Sequence, residues 1–179
     1  MKKVILFTFV VVSFILHGCS GSNSQPKFKS MSEIEKLSKD QFIEETIAIY
    51  NNVFEGMNNL LDKHKKIDGG FEEDINKLHS NSISQMIEYG KVLAKKDDET
   101  KSDYVTSSLM GMWDAMEEKG AEASDGFEEK FDMRMSELEA YGSESLGRKL
   151  NDLFGIMDFM DFENAKEMHP ETAKEFGVE

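Results

Sequence analysis

The chain contains one cysteine, Cys19, whose thiol can be modified covalently. A single thiol excludes a disulfide within the chain, a redox site of the CxxC type and a zinc site built from several cysteines. Cys19 follows an apolar run, Val4–Leu16, which begins after two lysines and is too short to cross a bilayer as a permanent helix. The position of the Cys19 thiol, shortly after this apolar run, is therefore the best indication of its role.

The sequence Leu16-His17-Gly18-Cys19 resembles the lipobox of bacterial lipoproteins, which has a Leu three residues before the cysteine and a small residue just before it. His17 replaces the small or β-branched residue usual at its position. The resemblance implies export, transfer of a diacylglyceryl group to Cys19, and signal-peptide cleavage between Gly18 and Cys19. It places the protein in the bacterial cell envelope as a lipid-anchored protein. Ser20 follows the cysteine where Asp would retain an enterobacterial lipoprotein in the inner membrane, so the outer membrane is favoured.

The histidines that follow Cys19 give no pattern of metal ligands. His64, His79 and His169 lie far apart, and none stands three residues after a Glu, the spacing that places both ligands of a di-iron bundle on one helix face. Methionines surround Trp113 and could offer thioethers to Cu(I), but Met110 and Met112 point to nearly opposite sides of a helix. Core packing is the favoured role for these methionines, and no metal or cofactor is predicted.

Motifs of catalysis are also missing from the sequence. The chain has no Gly-x-Ser-x-Gly nucleophile motif and no phosphate-binding P-loop, so we predict that it is not an enzyme. Asp158 and Asp161 stand about one helical turn apart and could hold a cation weakly, but a solvated acidic face is favoured.

The elements that position these residues are predicted to be helices. After a polar tether to Ser32, apolar residues recur at helical spacing in four segments: from about Ser32 to Lys66, from Phe71 to Lys96, from Ser102 to Lys119, and from Phe127 to Phe162 with a pause at Tyr141-Gly142-Ser143. A turn at Asp68-Gly69-Gly70 and a loop at Gly120–Gly126 separate them, and Pro170 fits the first turn of a short C-terminal helix.

These helices predict an all-α fold with short connections, an up-and-down four-helix bundle. The expected organisation is a signal peptide at 1–18, a lipidated cysteine and tether at 19–32, and a single helical domain at 33–179. Gly70-Phe71-Glu72-Glu73 returns as Gly126-Phe127-Glu128-Glu129, which suggests two tandem helical hairpins as a finer description.

The formal net charge of −14 excludes nucleic acid as a favourable partner. Most of the excess lies in the second half, where residues 102–179 contain 20 acids and 7 bases. The charge favours a basic protein partner, although a high net charge also serves solubility alone.

The stretch from Leu153 to Phe162 has apolar residues on more than one helical face. Either the last segment, which ends near Phe176, folds back and covers them, or they form a partner-binding surface together with nearby acids. The candidate partner-binding residues are Phe154, Ile156, Phe159, Phe162, Glu128 and Glu129.

The sequence therefore predicts a membrane-anchored envelope lipoprotein whose helical domain binds another protein. An assembly role, a pilotin-like role and an inhibitory or immunity role remain open. The alternative is a helical bundle in the periplasm that binds a small molecule or a metal.

Overall fold

The computed structural model describes residues 28–119 and 121–178. Within these ranges the chain forms helices and no strands, which confirms the all-α prediction. The helices are α1 (Met31–Ile34), α2 (Lys39–Lys63), α3 (Gly69–Leu93), α4 (Asp98–Lys119), α5 (Ala121–Ala140), α6 (Glu144–Phe154), a 3-10 helix (Ile156–Met160), α7 (Phe162–Met168) and α8 (Pro170–Glu175).

Polar side chains define where the long helices begin. Ser38 accepts a hydrogen bond from the backbone N–H of Gln41, whose side chain in turn accepts from the backbone N–H of Ser38. This capping box starts α2 and separates it from α1, so the first predicted helix is broken in two. Asp68 caps α3 by accepting from the N–H groups of Gly70 and Phe71, as the predicted turn requires.

Residues of the predicted tether, which ends at Ser32, also contact the helices. Lys29 pairs with Glu45 of α2, and Met31 packs against the core. Lys95, which follows α3, donates to Glu35, just after α1. The N-terminal turn is therefore attached to the ends of α2 and α3.

Pairs of contacts fix the directions of the helices. α2 and α3 are antiparallel, since Glu45 contacts Tyr89 and Lys63 contacts Asp74. α4 and α5 both run in the direction of α2, as three contacts at successive levels show: Thr46 with Ser108, Phe54 with Phe127, and His64 with Arg134. α6 runs back beside α3, where Asn76 meets Lys149 and His79 meets Asp152.

The chain therefore does not reverse within residues 121–126 of the predicted loop, because α5 begins at Ala121 and continues along α2; Gly120 lies outside the described residues. It reverses at Gly142, whose φ of +66° is accessible to glycine at little cost. Gly126 lies inside α5 whereas Gly70 lies in the first turn of α3, so the two Gly-Phe-Glu-Glu segments occupy different positions in their helices.

The core lies between α2 and α3 and is closed by α4, α5, α6 and the 3-10 helix. Its largest fully buried side chains include Tyr89, Phe42, Phe71, Phe159, Leu138, Leu150 and Leu153. Arg134 of α5 is also buried: it donates through Nη2 to the carbonyl of His64 at 2.6 Å and covers the Phe71 ring. A cation in this place complements the negative end of the α2 dipole and ties α5 to the α2–α3 turn.

None of the helices in the described ranges combines the length and the apolarity that a membrane crossing requires.

Two glycines with opposite surroundings test the packing. A Cβ at Gly90 would lie 2.5 Å from Phe162 Cε1 and 2.6 Å from the Phe159 carbonyl oxygen, whereas a Cβ at Gly126 would meet no atom within 4 Å. We expect Gly90→Ala to lower the free energy of unfolding by about 1–3 kcal/mol through overpacking. Gly126→Ala should raise it by about 0.5–1 kcal/mol through helix propensity. Urea unfolding of both variants is the measurement, and a Gly90→Ala protein as stable as wild type would contradict the packing of the C-terminal segment on α3.

Candidate functional site

The predicted modification site lies outside the described residues. Gly18 and Cys19 both precede residue 28, so lipidation and signal cleavage stay predictions from the sequence.

The apolar stretch after Leu153 is divided between core and surface. Ile156 and Phe159 are fully buried, because α6 ends at Phe154 and the tighter 3-10 helix turns both side chains toward α3. The Phe159 ring also packs against His169, with ring centroids 4.9 Å apart. The prediction that Ile156 and Phe159 form a partner surface is therefore corrected: the returning C-terminal helices cover them.

Phe162 is half-buried and lies against Gly90 of α3, so it too serves mainly to seat the C-terminal segment.

Phe154 is the exposed member of this stretch, with 53% of its surface accessible. Its ring lies 4.9 Å from that of Phe131 and parallel to that of Phe127, both of which are buried residues of α5. Glu128 and Glu129 directly follow Phe127 and are exposed. The structure thus brings together Phe154 and the helix that carries the two predicted acids, although these residues are some 25 positions apart in the sequence.

Other large apolar side chains are exposed at positions where the sequence pattern did not predict a surface. Met110 and Trp113 of α4 are each 63% exposed. Met133 of α5, Tyr141 after it, and Met168 of α7 are also accessible. The methionines flanking Trp113 were predicted to be core residues, which holds for Met112 but not for Met110.

A buried cluster of two histidines and an aspartate lies between α3, α6 and the C-terminal helices. The Asp152 carboxylate accepts from His79 Nε2 at 2.8 Å, from His169 Nδ1 at 2.8 Å and from Thr172 Oγ1 at 2.6 Å. His169 Nε2 lies 3.2 Å from an Asp158 oxygen. Three members of the cluster are at most 1% exposed: Asp152, His79 and Thr172. Their hydrogen bonds within the protein therefore replace the hydrogen bonds that these groups would make to water.

The hydrogen bonds of this cluster determine its protonation. Burial alone would raise the pKa of the Asp152 carboxyl, but three donated hydrogen bonds outweigh that effect and hold the pKa well below its usual value. Burial alone would lower the pKa of His169, but its hydrogen bonds to Asp152 and Asp158 outweigh it and raise the pKa to about 9. At neutral pH the cluster therefore contains an ionised Asp152 beside a protonated His169.

The cluster of His79, Asp152 and His169 is suited to holding helices together, and it lies apart from the two surface clefts of the domain. A surface cleft of about 310 Å³ lies between α2 and α3 beside Lys63, Asp74 and Lys77, and a second of about 260 Å³ lies beside Lys101 and Asp161. Neither cleft is lined by His79, Asp152 or His169. Among the described residues no group of three or more acidic, histidine or cysteine side chains is arranged to hold a metal ion.

Sequence reasoning treated each histidine as isolated and missed this cluster. His79 and Asp152 are 73 positions apart, and His169 is 17 positions beyond Asp152. The one available signal was that Asp152 stands in the apolar stripe of Leu146, Leu150 and Leu153, where an acid needs a partner. Asp158 and Asp161, considered together as a weak cation site, instead bind His169 and Lys101 respectively.

Comparison of the chain with protein-family models, with curated proteins and with solved structures finds no match in any of the three.

The cluster predicts how stability depends on pH. Because the pKa of His169 is about 9 in the folded protein and 6.5 ordinarily, its stabilising effect is complete below pH 6.5 and is lost as the pH rises through about 9. Asp152 acts in the opposite range, since its lowered pKa makes its effect complete above its ordinary pKa of 3.8 and lost in stronger acid.

We therefore expect the free energy of unfolding to fall by up to about 3 kcal/mol between pH 6 and pH 10 in the wild type. His169→Gln, which keeps a donor but cannot titrate, should lower stability at pH 6 and flatten this decline. Urea unfolding across the pH range measures both, with His64→Gln as the control because His64 lies outside the cluster. An identical decline in His169→Gln and wild type would show that another group is responsible.

Proposed function

We propose that this protein is a lipid-anchored component of the bacterial cell envelope whose helical domain binds another protein. Its place in the envelope rests on the Leu16-His17-Gly18-Cys19 pattern after an apolar run. The outer membrane is favoured over the inner by Ser20. An assembly, pilotin-like or inhibitory role would each use such a domain.

The binding role is carried by one observation: Phe154 exposes about half of its surface while buried aromatic rings of α5 hold it in place. An aromatic side chain that is already fixed loses little conformational entropy on binding. Aromatic residues of this kind supply much of the affinity of protein interfaces. Two exposed acids on the same helix α5, Glu128 and Glu129, would attract a basic partner and raise its association rate.

The helix directions support a finer description of the scaffold as an up-and-down four-helix bundle. Its first two members are α2 and α3. The third is α4 continued by α5, and the fourth is α6 continued by the 3-10 helix. Such a bundle gives Phe154 a rigid base, because α6 is attached to α3 through Asp152 and Lys149.

The anchor is tested at Cys19. Mass spectrometry of the protein isolated from membranes should find a mature N-terminus at Cys19 that carries a diacylglyceryl thioether. Cys19→Ser should abolish the lipid and leave the signal peptide uncleaved by the lipoprotein peptidase. A mature wild-type protein that begins at another residue, or that lacks the lipid, would refute both the anchor and the localisation.

The binding surface is tested at Phe154. A photo-reactive amino acid placed there should crosslink the native partner in intact cells, whereas one placed at Tyr141, which is more accessible, should not. With the crosslinked partner purified, Phe154→Ala should weaken its affinity about tenfold or more, because the aromatic contact is lost. The stability cost should stay near 1 kcal/mol, because Phe154 is half-exposed.

Tyr141→Ala is the matched control and should leave the affinity unchanged. Charge reversal at Glu128 and Glu129 should mainly slow association, and the difference from wild type should shrink at high salt. Equal affinity of Phe154→Ala and wild type would remove Phe154 from the interface.

A further inference from the structure

We propose that the outward face of α4 is a second docking surface, and that it binds a basic, partly apolar segment of a partner protein. The surface, called here the α4 stripe, consists of Thr106, Met110, Trp113, Asp114 and Glu117. This inference rests on the proposed role as a protein-binding domain. It depends on different residues from the first proposed surface, which consists of Phe154, Glu128 and Glu129.

The α4 stripe is a continuous face of one helix. Its members lie at intervals of four, three, one and three residues, which places them on one side of α4 at 3.6 residues per turn. All five side chains are exposed. The opposite side of α4 is occupied by the core, with Ser108 and Met112 buried.

The core-facing side of α4 is fully packed without the apolar residues of the stripe. Gly111, on the inner side of α4, brings the helix so close to α2 that a Cβ there would lie 2.3 Å from Ile47 Cδ1. The inner face is therefore already in close contact, and Met110 and Trp113 point away from it with 63% of each accessible. Single exposed apolar residues are common, but an adjacent Met and Trp on an outward face are typical of binding surfaces.

The charge of the stripe indicates the chemistry of the partner. Asp114 and Glu117 lie beside Trp113, and Glu99 and Asp103 extend the acidic face toward the start of α4, where Asp103 pairs with Lys39 of α2 at 2.6 Å. On this helix, Lys101 lies on another side and pairs with Asp161 at 2.7 Å. A partner with Lys or Arg side chains fits both features, since the acids attract the cations and the Trp113 ring can hold one against its face. A second copy of the chain would place acids against acids, which disfavours self-association through this face.

Trp113 is the only tryptophan in the chain, so its fluorescence reports on this surface alone. The experiment uses the full lipidated protein in detergent and a tryptophan-free amphipathic peptide of Lys and Leu as the probe. We expect a blue shift of the Trp113 emission on titration, protection from acrylamide quenching, and a Kd that rises at least tenfold between 50 and 300 mM salt. An analogue with Glu in place of Lys should not bind.

Two methionines of equal exposure provide a matched pair, because Met110 and Met168 are each 63% exposed but only Met110 belongs to the stripe. Met110→Ala should weaken peptide binding about fivefold, whereas Met168→Ala should not change it. Asp114→Lys with Glu117→Lys should weaken binding at low salt by tenfold or more. Glu163→Lys with Glu167→Lys, an equal charge change on α7, should have a small effect that disappears at high salt.

Several outcomes would overturn the proposal. The proposal is wrong if the basic peptide does not bind, if its acidic analogue binds equally well, or if Met110→Ala and Met168→Ala have equal effects. Binding of a labelled peptide without any change in Trp113 emission would place the basic segment elsewhere and leave the protein-binding role intact. Self-association that Trp113→Ala abolishes, detected by sedimentation, would assign the stripe to a second copy instead. Crosslinking at position 154 tests the proposed function separately, so failure of one is distinguishable from failure of the other.

Discussion

The carboxylate of Asp152 is the constraint on which the arrangement of the second half depends. A buried ionised carboxylate costs several kcal/mol unless donors surround it, and here the donors come from two distant parts of the chain. His79 belongs to α3, His169 lies between α7 and α8, and Thr172 lies in α8. Satisfying this one charge therefore requires α6, α3 and the C-terminal helices to meet at a single place.

This constraint determines which apolar residues remain accessible. Once His169 and Thr172 are bound to Asp152, α7 and α8 lie over the 3-10 helix, and Phe159 is enclosed. Phe154, two residues before the 3-10 helix, remains outside this cover and rests on α5 instead. The buried polar cluster and the exposed aromatic ring are thus connected: the first holds the scaffold on which the second is presented.

The acids of the second half divide into two groups that a count of charges cannot separate. The first group holds the C-terminal helices in place. It consists of Asp152 and Asp158, which bind His169, Asp161, which binds Lys101, and Glu171, which pairs with Arg148. Glu128, Glu129, Asp114 and Glu117 are exposed on α5 and α4. Asp114 and Glu117 are close in sequence to the exposed Trp113, and Glu128 and Glu129 belong to the helix on which Phe154 packs.

The sequence by itself determined the helical class, the turn at Asp68 and the start of α8 at Pro170, because spacing, caps and proline act within a few residues. The tertiary structure decided where the chain reverses, which side of the Phe154–Phe162 stretch is buried, and that Asp152 joins two histidines. The chain turns at Gly142, whereas residues 121–126 form part of α5. The 3-10 helix interrupts the 3.6-residue period, so α-helical spacing did not predict that Phe159 is buried. The histidine pairing spans up to 73 positions, and no periodicity along the sequence records which distant side chains a buried charge will meet.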